Sequence, residues 1–458
     1  MSNAESGLFP LPLTPLEYYY LCDNRPDHPT AFPAELQFSG RLDRDGFQRA
    51  LAGVLARHPL LTARVGRLPN GIPAWIDGDG SLPPVDWGQE GKPIRHPDGP
   101  AIDLASAPGL RAWVRESEGT TRLFLQFHHA CCDGWAAVQF IEELLVAYHL
   151  QIEGSRCGLA LRPLRPDRLR DRGRLEVPPH WWARLRDLWV GARLWSGWAF
   201  RQPALLAPGR RAPAEVEPPL LDFQTVALGH ELTGALRQAA TAAGGSLHDV
   251  LLRDLFQSIH QWNQRQGSDD RRPIRINVPL TIREREDQLL PAANRLTFAF
   301  LSRDGRQLAD PERLLEGIGT EMRAIRQDRL GLYFVGGLGT FCQVPGLIPF
   351  FLGRRHSFAT AVLSYGGRLF AHSPLPRAGR RLVAGNVVVE RLSGVPPIRP
   401  LTRAAIGIGL YDDQMLINVR CDPQHFSRDD TQAFADLYRQ RLACTAENVP
   451  SPFGRGLG

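Results

Sequence analysis

The residues with most chemical content sit together at Phe127-His128-His129-Ala130-Cys131-Cys132-Asp133-Gly134. An imidazole titrates near neutrality, so a histidine facing a cavity is suited to moving a proton. Neighbouring residues on a strand point to opposite faces. If the strand persists to His129, one histidine packs as a support and the other projects into a cavity. Asp133 falls where a helix begins, and a carboxylate there caps free N–H groups or pairs with a cation. Gly134 leaves space beside it. A histidine with an aspartate four residues on is equally the mark of a pair that satisfies itself in a core, and the residues alone leave both readings open. Other chemistries fit less well. The adjacent histidines diverge, and no Cys/His cluster completes a metal set around them. Cys131 and Cys132 are available as thiols. There is no G-x-S-x-G, and Lys92, the only lysine, lacks the glycines of a phosphate loop.

The flanking pattern supplies elements to hold this segment. Thr121 to Phe127 reads as a strand, and Asp133 to His149 as a helix with Ala137, Phe140, Ile141, Leu144, Leu145 and Tyr148 on one side. Upstream, Ala34 to Phe38 alternates like a strand, and Asp43 opens a helix with Phe47, Leu51, Val54 and Leu55 at helical spacing. A second periodic region runs from about Leu221 to Ala443. Its expected helices are Ser246–Trp262, with Ser246 and Asp249 spaced as a capping box, Pro311–Arg326 and Asp429–Leu442. Its expected strands are Ile274–Leu280, Leu296–Leu301, Phe358–Ser364, Ala384–Val389, Ala404–Leu410 and Gln414–Val419. Strands and helices mix in both halves, so the fold class is α/β or α+β with mixed sheets. The expected division is a first lobe over 1–160 carrying the histidines, a basic crossover segment over 161–219, a second lobe over 220–446 and a tail over 447–458.

The chain has 458 residues, 43% hydrophobic and 22% charged. That balance excludes collagen-like, coiled-coil and wholly disordered classes, and the length suits about two to four domains. The formal charge of +6 is local. Residues 161–211 hold twelve arginines against four carboxylates. The arginine bias points away from a nucleic-acid partner. Seven scattered cysteines with no CxxC pair suit a reducing compartment. The N-terminus lacks a basic and apolar leader, which suits a cytoplasmic protein. Residues 180–200 combine Trp181, Trp182, Trp189, Trp195 and Trp198 with Arg184, Arg186 and Arg193. This reads as a basic amphipathic helix, packed as a crossover or making peripheral contact with a membrane, a greasy substrate or an acidic carrier protein. Leu330 to Leu352 has no charge but is interrupted by two prolines and five glycines. It is expected to be a buried segment or an apolar substrate lining rather than a membrane span.

His128-His129-x-x-x-Asp133-Gly134 resembles the HHxxxDG motif of the chloramphenicol acetyltransferase-like superfamily. That superfamily includes the condensation domains of nonribosomal peptide synthetases and polyketide-linked and wax-ester-type acyltransferases. Four further stretches resemble it in the right order, so the likeness covers about Leu13 to Leu442. They are Leu13-Thr14-Pro15-Leu16-Glu17; Ala56-Arg57-His58-Pro59-Leu60-Leu61; Val278 to Arg283 followed by Asn294; and Ile406 to Leu416 with Tyr411-Asp412-Asp413. Two features depart from it. Tyr365 stands where the family's "SN-x-G" has asparagine, and the plant-type DFGWG is absent.

The resemblance implies a stand-alone, monomeric pair of similar lobes forming a V around a central tunnel. It implies acyl transfer from a CoA or carrier-protein thioester to an alcohol or amine acceptor, while the Trp/Arg segment and the apolar Leu330 to Leu352 stretch lean toward a lipophilic partner. No cofactor is needed beyond acyl-CoA or acyl-phosphopantetheine as donor. His129 would be the general base. Asp133 would pair with Arg283 and act structurally, as would His128, while Gly134 would keep the channel open. Ser364 and Asn294 are candidates for the oxyanion or the tunnel wall. The same fold could instead run thioester hydrolysis or cyclisation through His129. A rival from another class is a non-catalytic module that binds an acyl carrier protein or a lipid.

Overall fold

The computed structural model describes residues 7–154, 157–174, 201–210, 222–354 and 356–447. The tryptophan- and arginine-rich stretch at 180–200 lies outside the described residues, as do most of the tail and much of the crossover segment.

Three sheets organise these residues. The smallest joins β1 (Leu11–Pro12), β4 (Pro73–Ile76) and β3 (Arg64–Arg67). A seven-stranded sheet runs β12 (Arg377–Ala378), β13 (Arg381–Ala384), β14 (Val387–Gly394), β2 (Ala31–Ser39), β7 (Thr120–His128), β6 (Leu110–Ser117) and β5 (Val85–Gln89). A six-stranded sheet runs β10 (Leu296–Arg303), β9 (Ile274–Thr281), β11 (Ala361–Arg368), β15 (Ala404–Tyr411), β16 (Gln414–Cys421) and β8 (Gln224–Leu228). Both large sheets mix parallel and antiparallel pairs.

The helices follow their caps. Thr14 and Glu17 form a capping box at the start of α1 (Pro15–Asp23), and Asp43 caps α2 (Arg44–Leu55). Asp133 caps α3 (Gly134–Glu153). The second half adds α4 (His230–Ala242), α5 (Leu247–Arg265) with its Ser246/Asp249 box, the short α6 (Gly305–Leu308) and α7 (Pro311–Gln327) capped by Asp310. Next come α8 (Leu332–Cys342), α9 (Leu347–Gly353) and the closing α10 (Arg428–Glu447).

Two sequence expectations are corrected. The expected strand Ala384–Val389 is a hairpin between β13 and β14. It turns at Gly385, whose φ of +54° suits glycine. The Phe358–Ser364 strand begins three residues later, and Phe358 instead packs beneath the Arg399 guanidinium, 4.0 Å from its ring centre. The uncharged run at 330–352 is two helices, α8 and α9, bent by 115°. No single helix among the described residues is long and apolar enough to cross a membrane.

The hydrophobic cores also cross the middle of the chain. Residues 377–394 leave the second half and extend the first-half sheet, with β14 antiparallel to β2. The core beneath that sheet takes in Leu296, Phe334, Leu338 and Leu352 from the second half. A separate core fills the six-stranded sheet and α4, α5, α7 and α10. The cross-ties are polar as well. Asp23 on α1 grips Arg399 through both carboxylate oxygens. His58 Nδ1 accepts the Ala292 N–H at 2.8 Å, while its Nε2 faces Glu143 Oε2 at 3.3 Å.

Candidate active site

The histidine segment lies where β7 ends and α3 begins. His128 is the last strand residue, and its N–H donates to Gly109 O at 2.8 Å. The next N–H, that of His129, donates to Thr30 O at 3.2 Å. The two rings then part. His128 is fully buried. Its Nδ1 accepts the Ala130 N–H at 3.1 Å, so the neutral ring carries its proton on Nε2, which faces Thr30 Oγ1 at 3.4 Å. Burial and then the neighbouring His129 push its pKa down to about 3.

His129 takes another environment. Its ring stacks on Tyr20 from α1, with centres 4.0 Å apart and planes 11° apart. Phe32 from β2 closes in at 5.0 Å. Nδ1 is buried and makes no hydrogen bond among the described residues. Burial lowers the pKa to about 4, against an opposing pull from Asp133. At pH 7 the ring is therefore neutral and can accept a proton.

Asp133 is engaged on every side. Oδ1 caps α3 by accepting the Ala136 N–H at 2.8 Å. Oδ2 accepts Arg283 NH1 at 2.5 Å and the Arg295 N–H at 2.8 Å. Both charged side chains are nearly buried, at 3% and 9% exposure. Arg283 NH2 also donates to Ala293 O at 2.8 Å, and its guanidinium lies 4.6 Å from the Trp135 ring centre. Asn294 is buried, and its Nδ2 donates to His129 O at 2.7 Å and Ala130 O at 2.9 Å. One short stretch after β9 thus grips both ends of the loop between His129 and Asp133.

The remaining candidates fall in three places. A side chain at Gly134 would enter open space, since nothing lies within 4 Å of a Cβ built there. Cys131 and Cys132 are fully buried, and burial holds both thiols well above the ordinary range, where no reactive thiolate forms. Ser364 sits on β11 opposite Gly407 of β15, and no hydrogen bond joins it to the histidine loop among the described residues. Tyr365 stacks on His248 instead, with ring centres 5.8 Å apart. No group of three or more His, Cys, Asp or Glu among the described residues could hold a metal ion.

Sequence reasoning overlooked Tyr20, Phe32 and Thr30, which shape the histidine pocket from α1, β2 and the loop between them. Their only sequence signal is proximity to the Leu13–Glu17 stretch. Glu17 itself is buried. It receives Arg172 at 2.7 Å and Trp75 Nε1 at 3.1 Å, which anchors α1 under the histidine.

Two lobes, with a capped helix delivering a neutral histidine between aromatic rings and a second-lobe arginine locking the loop, match the fold that the resemblance implies. Comparison with known proteins bears out that fold. No family model matches the chain. Among curated proteins it is similar to phosphinothricin tripeptide synthetase PhsC of Streptomyces viridochromogenes, 29% identical over 195 residues, which is 41% of this chain and 16% of PhsC. It is also similar to one of the linear gramicidin synthase proteins of Brevibacillus parabrevis, 25% identical over 181 residues, covering 34% of this chain and 2% of that protein. The chain therefore matches only a small part of the length of either relative.

Solved structures match far more completely. The first condensation domain of the CDA synthetase aligns with a TM-score of 0.67 at 17% identity, covering 96% of this chain and 97% of that one. The starter condensation domain of rhizomide synthetase, solved with C8-CoA and Leu-SNAC, aligns at 0.65 and 12% identity, covering 96% and 95%. Polyketide synthase associated protein 5 from Mycobacterium tuberculosis aligns at 0.62 and 15%, covering 96% and 98%. The chain has the two-lobed fold of these condensation domains.

Proposed function

We propose that this protein transfers an acyl group from a CoA or carrier-protein thioester to an alcohol or amine, with His129 as general base. The observation that carries this reading is the state of His129. It is neutral at pH 7, wedged between Tyr20 and Phe32, and held through its own carbonyl by Asn294.

The neutral imidazole takes the proton of the acceptor O–H or N–H as its lone pair attacks the thioester carbonyl. The tetrahedral intermediate then expels the thiolate as the C–S bond breaks. The imidazolium returns its proton to that sulfur, so no charge is left behind. Base catalysis of this kind is worth about 10²–10⁴-fold, and holding two substrates together supplies much of the remainder. Asp133 takes no part in proton transfer on this reading, because helix cap, guanidinium and backbone N–H occupy its oxygens. Its work is to fix the loop. Gly134 is exposed and a Cβ there would meet nothing, which supports an open approach for substrate on this reading. A rhizomide synthetase domain of the same fold, solved with C8-CoA and Leu-SNAC, supports a thioester donor and an amine acceptor.

The test is thiol release from acyl-CoAs of increasing length, and from an acyl-loaded carrier protein, in a pool of alcohols and amines. Release by the wild type that His129→Ala loses supports the reading, and product mass separates transfer from hydrolysis. Equal and negligible release from both proteins with both donors would overturn it in favour of a carrier- or lipid-binding module.

A further inference from the structure

The uncharged hairpin formed by α8 and α9 exposes apolar side chains that the fold does not use. Most of it is anchored. Phe334, Val335 and Leu338 of α8 and Ile348 and Leu352 of α9 are buried in the first-half core. Phe334 meets Tyr19 of α1 with ring centres 6.3 Å apart, and the Arg25 guanidinium donates to Leu352 O. The tip is different. Val344 is 53% exposed and Phe350 62%, and Pro345 and Pro349 beside them are exposed too. Along α9 the apolar residues therefore lie on both faces, Ile348 and Leu352 inward and Pro349 and Phe350 outward. A helix that meets only water carries polar residues on its outer face.

The charge that directly follows the tip in sequence is basic. No carboxylate falls between Asp328 and Glu390 in the sequence, and Arg354 and Arg355 directly follow the hairpin, whereas Arg329, Arg380 and Arg381 are taken up in ion pairs with Glu284, Asp413, and Glu390 and Asp412. The Arg354 guanidinium lies 5.7 Å from the Phe350 ring centre, beside the apolar tip. No ion pair to Arg354 is found among the described residues. Apolar side chains inserted to shallow depth, with arginines reaching the headgroups, are the means by which a protein rests on an anionic lipid surface. The hairpin also packs on α1, which carries Tyr20 onto His129. The tip is thus one helix away from the proposed base.

We infer that the α8–α9 tip, centred on Val344 and Phe350, is a docking surface for a membrane that carries anionic lipid. Contact there would bring a lipophilic substrate to the α1 side of the histidine pocket. The contact is separate from the chemistry. Vesicle binding needs no turnover, so its failure would leave the reading of His129 standing, and His129→Ala should bind vesicles as the wild type does.

The experiment is sedimentation of the full chain with vesicles of phosphatidylcholine alone and of phosphatidylcholine mixed with phosphatidylglycerol. The wild type should sediment with the mixed vesicles and release as salt rises. Val344→Ser with Phe350→Ser should weaken that binding at least about tenfold, from the apolar area removed, at an unchanged melting temperature. Arg354→Glu, which keeps the apolar tip, should weaken binding to the mixed vesicles selectively. Absence of wild-type sedimentation overturns the proposal, and so does undiminished binding by the serine pair, which would place the contact elsewhere. A wild-type dimer that the serine pair converts to a monomer would assign the tip to a second copy and equally overturn it.

Discussion

Arg283 closes on Asp133 at 2.5 Å across 150 residues of sequence, joining the strand that ends before the second-half loop to the helix that begins after the histidines. The pair is nearly buried and shares Asp133 Oδ2 with the Arg295 N–H. It therefore fixes the position of the histidine loop against the second lobe.

The losses from removing the two partners should not add. Arg283→Met leaves a buried carboxylate with one fewer donor, and a loss of about 3 kcal/mol or more in unfolding free energy is expected. Arg283→Met with Asp133→Asn should lose less than the sum of the single changes. Denaturant melts of the four proteins measure the coupling, and additive losses would contradict it.

His129→Ala and His128→Ala should separate activity from stability. The first should lower kcat by about 10²–10⁴-fold while the melting temperature changes little. The second removes a fully buried ring that accepts the Ala130 N–H, and should destabilise by about 2 kcal/mol or more. Thermal melting beside the thiol-release assay distinguishes them.

Asn294→Ala removes both hydrogen bonds that hold the His129 and Ala130 carbonyls. Two buried acceptors are left without that donor, and a loss of about 1–3 kcal/mol is expected. Because the histidine backbone is freed, kcat should fall more than KM rises. An unchanged kcat would show that the loop is held by the Arg283 pair alone.

Gly134 offers a change that folding should not resist. A Cβ there meets nothing, so Gly134→Ala should keep stability and most activity. Gly134→Trp should keep stability but lower kcat/KM by at least about tenfold if the open space is a substrate passage. Equal activity from both variants would place the passage elsewhere.

Acid should destabilise the protein from near pH 6.5 downward. Burial lowers His128 to about 3 and His129 and His248 to about 4, from an ordinary 6.5, helped by His129 at His128 and by Arg326 at His248 and opposed by Asp133 at His129. Below pH 6.5 the unfolded chain binds protons that the native state excludes. Each of these histidines then removes up to about 1.4 kcal/mol per pH unit until its native pKa is reached. His28 has the opposite sign. Burial lowers it, but Asp422 and Asp27 outweigh burial and raise it, so its contribution is present in acid and fades as pH rises through its native pKa. Denaturant midpoints between pH 7 and pH 4.5 test the balance, and His248→Gln should flatten the slope.

The local elements and the candidate histidine loop were legible in the sequence because their causes are local. The alternation of Thr121 to Phe127, the caps at Thr14, Asp43, Asp133 and Ser246, and the proline opening α7 each act within a few residues. The spacing of His128, His129 and Asp133 is set by one strand end and one helix start. Tertiary structure decided what depends on distant partners. It broke Ala384–Val389 into a hairpin and sent β14 to β2, because an edge of the first-half sheet needed pairing and Gly385 allowed the turn. It brought Tyr20 and Phe32 onto His129, and bent the uncharged run at 330–352 so that one side entered a core and the tip did not. Hydrophobic burial is non-directional. The sequence therefore determined which segments had to be covered, and only the folded chain decided which surface covered them and which apolar residues were left facing out.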